Sequence, residues 1–321
     1  MNIACATDNN YVQHCGVMLT SLFENNKGED VHIYLLTAGL TQKNKTSLEN
    51  IINHYKGNFH YCLLDQELIK DFPQGGVNAH ITLAAYDRLF LPQYLPEKET
   101  KVIYLDCDLI VCSPLKGMWE TDMSGYALGA VEEYWNWCNG SIKERTGRLK
   151  YDIRYSYFNS GVLLLNLTLW RKENITDKVL DYIINNPEKI IWHDQDALNA
   201  TLHDRWIKLP ARWNATPYSF SKAPELLTRY RQNRINTILN PGIIHFCFSP
   251  KPWETGCYHP LKDEYFRYLK LTEWKDFKPP FSIKTIRHWG GDVLRFIGIK
   301  KQTMLKRNDL QKLKTRSDRY T

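Results

Sequence analysis

None of the eight cysteines, at 5, 15, 62, 107, 112, 138, 247 and 257, forms a Cys-x-x-Cys pair. That excludes zinc ribbons and dithiol redox motifs, and free thiols in a reducing cytoplasm are expected. No stretch approaches the ~18 apolar residues of a membrane-spanning helix. The opening MNIACATDNNY has neither the basic n-region nor the apolar h-region of a secretion signal. Without that signal, Asn-x-Ser/Thr triplets such as Asn139-Gly140-Ser141 carry no weight. The expected location is the cytoplasm, soluble or peripheral at the inner membrane. Repeats and low-complexity blocks are absent before residue 280. A basic surplus is absent from most of the chain: the net charge is +7, yet residues 282–321 alone hold eleven Lys/Arg against three Asp. With no basic face elsewhere, nucleic acid is not an expected partner.

What the chain does have is aromatic residues, 10 Trp, 19 Tyr and 12 Phe. Sugar contacts, a membrane interface or plain core packing would each account for them. At 321 residues the chain can bury one large core with an appendage. NIACATD reads as a strand, and Val17, Leu19, Leu22 and Phe23 as the buried face of a helix. VHIYLLTAG (31–39), a helix over 41–55 and NFHYCLLD (58–65) follow. Residues 80–96 read as a helix stopped by Pro92, and 102–106, 126–133, 160–167 and 241–248 as strands around a helix at 193–202. Such alternation predicts an α/β sheet with parallel members. Pro279-Pro280 mark the start of the basic segment.

In KVIYLDCDLIV (101–111), Asp106 and Asp108 interrupt an apolar strand. A buried, unpaired carboxylate is costly, so a counter-charge is required: a lysine, an arginine or a metal. Beyond the carboxyl end of a strand, two carboxylates at this spacing suit a divalent cation that neutralises a diphosphate. Solvated strand-end aspartates are the bland alternative. A phosphatase of the haloacid dehalogenase type also sets Asp-x-Asp after an apolar strand, but near its N-terminus and with Thr or Val where Ile110 stands here. His245 ends the apolar part of PGIIHFCFSPKPW (241–253), followed by Lys251 and Trp253. It is a candidate third ligand, and mixed Asp/Asp/His ligation favours Mn²⁺ over Mg²⁺. A strand-end histidine serves a structural role equally well. Lys251 offers an ammonium to phosphates. In YFNSGVLLLN (157–166), Gly161 allows close backbone approach or a simple turn. In WHDQDALN (192–199), Asp194, Gln195 and Asp196 open a helix, where capping alone would explain the carboxylates.

In order, ATDNNY, AAYDRLFLP, YLDCDLIV, FNSGVLLLN, HDQDALN and HFCFSPKPW resemble the retaining glycosyltransferases of family 8, over residues 1 to about 260. The likeness is greatest to bacterial lipopolysaccharide α-glucosyl- and α-galactosyltransferases. It implies a GT-A fold, a Rossmann-like mixed sheet flanked by helices. Residues 1–260 would form the catalytic domain and 261–321 a short basic and aromatic C-terminal segment. It further implies a UDP-glucose or UDP-galactose donor, a lipooligosaccharide or related glycan acceptor, and Mn²⁺, with Mg²⁺ as the other option. Ala6, Thr7, Asp8, Asn10 and Tyr11 would hold the uridine. Arg88 and Cys107 would contact the donor, and Asp106, Asp108 and His245 would ligate the metal. Asn159 and Ser160 would line the sugar pocket, Asp194 and Gln195 would lie beneath the hexose, and Lys251 would bind the diphosphate. His80 is an acceptor-side candidate. Phe248 stands where the family often has glycine.

Retention requires a nucleophile on the far face or same-face attack within an ion pair. An amide oxygen such as that of Gln195 is a feeble nucleophile, Asp194 a better one, and same-face attack is the expectation. The segment SIKTIRHWGGDVLRFIGIKKQTMLKR suits an anionic membrane interface, although Gly290-Gly291 interrupts a continuous helix. Two rival readings are a glycogenin-like self-glucosylating initiator and a non-catalytic adaptor that binds nucleotide-sugars.

Overall fold

Side chains along the first strands alternate between two cores. Ile3, Cys5, Ile33, Leu35, Ile103 and Leu105 bury on one face of the sheet, and Ala4, Tyr34, Leu36, Val102 and Tyr104 on the other. This is the two-residue period of a strand covered on both sides. The computed structural model describes residues 1–65, 67, 86–133, 141–222, 231–280 and 304–317. Its strands are β1 (Asn2–Ala6), β2 (His32–Thr37), β3 (Asn58–Leu63), β4 (Lys101–Leu105), β5 (Leu109–Val111), β6 (Leu128–Glu132), β7 (Phe158–Asn166), β8 (Trp206–Lys208) and β9 (Ile243–His245). A seven-stranded sheet has the order β3-β2-β1-β4-β7-β6-β8, and β5 and β9 form a separate antiparallel pair. β7 runs antiparallel to both β4 and β6, so the large sheet is mixed.

The longer helices are α1 (Val12–Asn25), α2 (Gln42–His54), α3 (Ser141–Leu149), α4 (Ile175–Asn185), α5 (His193–Leu202), α6 (Arg231–Leu239), α7 (Asp263–Leu269) and α8 (Arg307–Ser317). α1 and α2 supply Leu19, Leu22, Leu48 and Ile52 to the first core, and α4 and α5 supply Val179, Ile183, Ala197 and Leu198 to the second. Sequence reading places α5 to the residue. It does not anticipate α4, although Ile175, Val179 and Ile183 recur there at helical spacing.

Two expectations need correction. Pro92 does not stop a helix: it sits at the start of a short one, Leu91–Tyr94, after a 3₁₀ turn over Asp87–Phe90. The first turn has no intrahelical acceptor for an N–H, so proline fits there. The rest of the expected helix, with His80, lies outside the described residues. The late strand expected over 241–248 is confined to Ile243–His245.

Residues 261–280 continue the main fold. Tyr265, Tyr268 and Leu269 bury against Val17, Ile110, Ile244, Phe246 and Trp253. Of the basic segment, the described part includes α8, where Leu310 packs on Ala215, Phe220 and Ile238, and Arg307 pairs with Asp263 at 2.9 Å. Residues 281–303 and 318–321 lie outside the described set. Among the described residues no helix is long and apolar enough to cross a membrane.

Behind β9, Gly242 is in close contact with its neighbours. A Cβ there would lie 2.6 Å from the Trp213 ring and 3.2 Å from the Arg212 carbonyl oxygen. Gly242→Ala is expected to cost about 1–3 kcal/mol by overpacking, read as a lower urea midpoint with an unchanged slope.

Candidate functional site

At Leu105 the chain leaves the large sheet, turns through Asp106–Asp108 and enters the small one at Leu109. The two carboxylates thus flank a junction between sheets. Three backbone contacts fix it: the Asp106 N–H donates to the Gly161 carbonyl at 2.9 Å, the Phe246 N–H donates to the Asp108 carbonyl at 2.9 Å, and Leu109 lies opposite His245 in the β5–β9 ladder. Ligand atoms of Asp106, Asp108 and His245 consequently all lie within 4.8 Å of one another.

A chain of hydrogen bonds sets the histidine tautomer. The Glu133 carboxylate accepts from Asn159 Nδ2 (3.0 Å), while Asn159 Oδ1 accepts from the Gly161 N–H (3.0 Å) and from Asn214 Nδ2 (2.8 Å). That leaves Asn214 Oδ1, 2.9 Å from His245 Nδ1, as an acceptor. The ring proton therefore sits on Nδ1, and Nε2 presents a lone pair. His245 Nε2 and Asp108 Oδ1 are buried without hydrogen-bond partners. Two orphaned acceptors beside a second carboxylate are a donor set that fits a divalent cation with mixed oxygen and nitrogen ligation. Gly161 forms the floor: a Cβ there would stand 2.3 Å from His245 Cε1 and 2.5 Å from Asp106 Oδ2.

The protein supplies cations of its own. Arg88 NH2 reaches Asp106 at 2.9 Å and its Nε lies 3.3 Å from Asp194, with the guanidinium over the Tyr104 ring. Lys251 Nζ lies 2.5 Å from Asp108 Oδ2 and donates to the Phe246 carbonyl at 2.6 Å. Burial opposes the Arg88 charge, but Asp106 and Asp194 outweigh it and raise its pKa. Burial pushes Asp194 up to about 6 against the pull of Arg88. Burial likewise opposes ionisation of Asp108, yet the Lys251 ammonium holds its carboxyl below the usual range. Sequence reading assigned the counter-charge to a metal; Arg88 and Lys251 already provide much of it.

The junction opens into a cavity of about 340 Å³. Ala6, Thr7, Asp8, Tyr11, Arg88, Cys107, Asn159, Ser160, Asp194, Gln195 and Lys251 line it together with the triad. Asn10 does not; its backbone N–H donates to the Asp8 carboxylate, as does that of Tyr11. Gln195 Oε1 accepts from the Ser160 N–H at 3.0 Å, and its amide nitrogen donates to the Tyr157 hydroxyl at 3.2 Å. Asp196 has a structural task, binding Arg148, the Tyr157 hydroxyl and the backbone N–H groups of Ile191 and Trp192.

Glu133, Arg145, Trp192, His193, Tyr218 and Cys247 also face the cavity and were not anticipated. Glu133 follows an apolar strand much as Asp106 does, and that signal was available. Asn214 lies in RWNATPY, where nothing in the sequence marks it.

The profile of the glycosyl transferase family 8 matches residues 2–257. General stress protein A of Bacillus subtilis is 34% identical over 285 residues, 87% of this chain and 96% of that protein. Lipopolysaccharide 1,3-galactosyltransferase of Salmonella typhimurium is 25% identical, covering 85% of this chain and 79% of its own length. Among solved structures, the galactosyltransferase LgtC in complex with donor and acceptor sugar analogs shares the fold. Its TM-score is 0.76 at 24% identity, over 90% of this chain and 100% of that one. The mixed sheet and its flanking helices are the GT-A arrangement.

Proposed function

Because the chain belongs to glycosyl transferase family 8, a family of retaining enzymes, we propose that it transfers glucose or galactose from a UDP-sugar to lipopolysaccharide or a related surface glycan, with Mn²⁺ as cofactor. The observation that carries this reading is the convergence of Asp106, Asp108 and His245, two of them with orphaned ligand atoms, on one wall of a sugar-sized cavity. The lipopolysaccharide galactosyltransferase among its relatives supports the acceptor class.

On this reading, Asp106, Asp108 and His245 would hold the metal, which would supply positive charge to offset that of the diphosphate. Lys251 exchanges Asp108 for a phosphate oxygen. Ala6, Thr7, Asp8 and Tyr11 hold the nucleoside, with Cys107 beside them. Arg88 fixes Asp106 and Asp194 relative to each other, and Asn159, Ser160, Asp194 and Gln195 orient the hexose. Same-face attack is favoured, because Gln195 Oε1 is already engaged by the Ser160 N–H. Gln195→Ala is accordingly expected to retain measurable turnover, with kcat reduced rather than abolished. Complete loss in a folded variant would point back to a nucleophilic role.

The test of the reaction is a UDP-sugar hydrolysis and transfer screen with Mn²⁺, with and without glycan acceptors. UDP release from one hexose donor, stimulated by a glycan, is expected. Sugar accumulating on the protein itself would identify a self-glucosylating initiator instead, and no UDP release from any donor would sink the enzyme reading. The basic segment after residue 280 is the proposed contact with an anionic inner-membrane surface, supported by its eleven Lys/Arg. Vesicle binding unchanged by truncation after Pro280 would remove that proposal.

A further inference from the structure

Arg145 projects from α3, is only 5% exposed and lines the cavity. Its guanidinium lies over the rings of Tyr157, at 4.8 Å, and Trp192, at 5.5 Å. Among the described residues no carboxylate pairs with it and no hydrogen bond involves it. A buried cation supported only by ring faces is expensive unless an anion completes it.

The neighbouring acids do not serve. Asp196 is saturated by Arg148, one turn along the same helix, by the Tyr157 hydroxyl and by two backbone N–H groups. Asp194 belongs to Arg88. Glu133 gives one oxygen to Asn159, and its other oxygen has no partner, so it does not reach Arg145 either. Nor does Arg145 stand with the triad. Its contacts are Tyr157 and Trp192, on the side of Gln195, whereas Lys251 is held by Asp108 and Phe246.

We infer that Arg145, stacked on Trp192, forms a subsite for an anionic sugar substituent, a carboxylate or a phosphate. A planar guanidinium offers such a group two parallel hydrogen bonds, which a neutral hydroxyl cannot exploit equally. The inference rests on the glycosyltransferase reading and refines it. With a neutral transferred hexose, the anion belongs to the acceptor; with a uronic acid donor, it belongs to the transferred sugar.

The full-length protein with Mn²⁺ is titrated first with UDP, then, as the UDP complex, with glucose, glucuronic acid and glucose 6-phosphate. A parallel arm compares UDP-glucose with UDP-glucuronic acid in the absence of acceptor. One of the two arms is expected to show a preference of roughly tenfold to a hundredfold for the charged sugar, and that arm names the source of the anion. Arg145→Met is expected to erase the preference and Arg145→Lys to restore part of it, with melting curves confirming that both variants fold. If UDP binds but neither arm prefers the anion, the inference fails alone. If UDP itself does not bind, the glycosyltransferase reading fails first. Loss of UDP affinity in Arg145→Met, without loss of sugar discrimination, would assign the arginine to the diphosphate and overturn the subsite.

Discussion

Asp108→Asn folds, yet its transfer rate drops by roughly 10²–10³ or more, the usual cost of losing a group that stabilises charge where it develops. The carboxylate stands between a donor and an acceptor, with Lys251 Nζ 2.5 Å from Oδ2 and His245 Nε2 3.1 Å from Oδ1. An amide turned with its oxygen to the ammonium and its NH2 to the imidazole lone pair satisfies both neighbours. That satisfaction is what disables the site, because the orphaned acceptors disappear and the ligand set goes with them. Lys251 keeps two oxygen acceptors but loses its counter-charge, at a cost of about 3 kcal/mol, which a chain of this size survives. The checks are Mn²⁺ titration by electron paramagnetic resonance, turnover, and circular dichroism at 25 °C. A folded variant that keeps wild-type Mn²⁺ affinity or turnover would refute the metal assignment.

Gly161→Ala attacks the same centre from below and leaves every ligand in the chain. The new methyl would point between the imidazole and the Asp106 carboxylate, 2.3 Å from one and 2.5 Å from the other. The buried His245 ring is held by Asn214 and has no room to yield, Asp106 can move only by giving up its contact with Arg88, and β7 is buried on both faces. Displacing the ligands by about 1 Å is expected to cost on the order of 10² in rate, with a stability loss of about 1–3 kcal/mol. A readout separate from turnover is Mn²⁺ affinity, which falls in parallel. Wild-type affinity in this variant would show that Gly161 is not the floor of the site.

The contrast between these residues shows how far local pattern reaches. Short apolar runs marked β1, β2 and β4, and the polar opening Asp194-Gln195-Asp196 marked α5, because those signals depend on near neighbours in the chain. Asp106, Asp108 and Gly161 were legible because a carboxylate or a glycine in an apolar strand conflicts with its surroundings. The break between β4 and β5 was not legible. The expected strand ends at Asp106, and only the pairing of Leu109 with His245 makes residues 109–111 a second strand. Asn214 was equally hidden. Its role comes from lying between Asn159 and His245 in space, which no spacing rule encodes. Arg145 escaped notice as one of two arginines on a polar helix, and only the saturation of Asp196 by Arg148 sets it apart.

The Lys251–Asp108 contact also bears on turnover. If the ammonium is handed from a carboxylate to a pyrophosphate oxygen and back, one ion pair replaces another in each direction. The Lys251 ammonium is then never left unpaired between catalytic cycles. Its contribution to the grip on UDP is set by the difference between two similar partners rather than by the full strength of either.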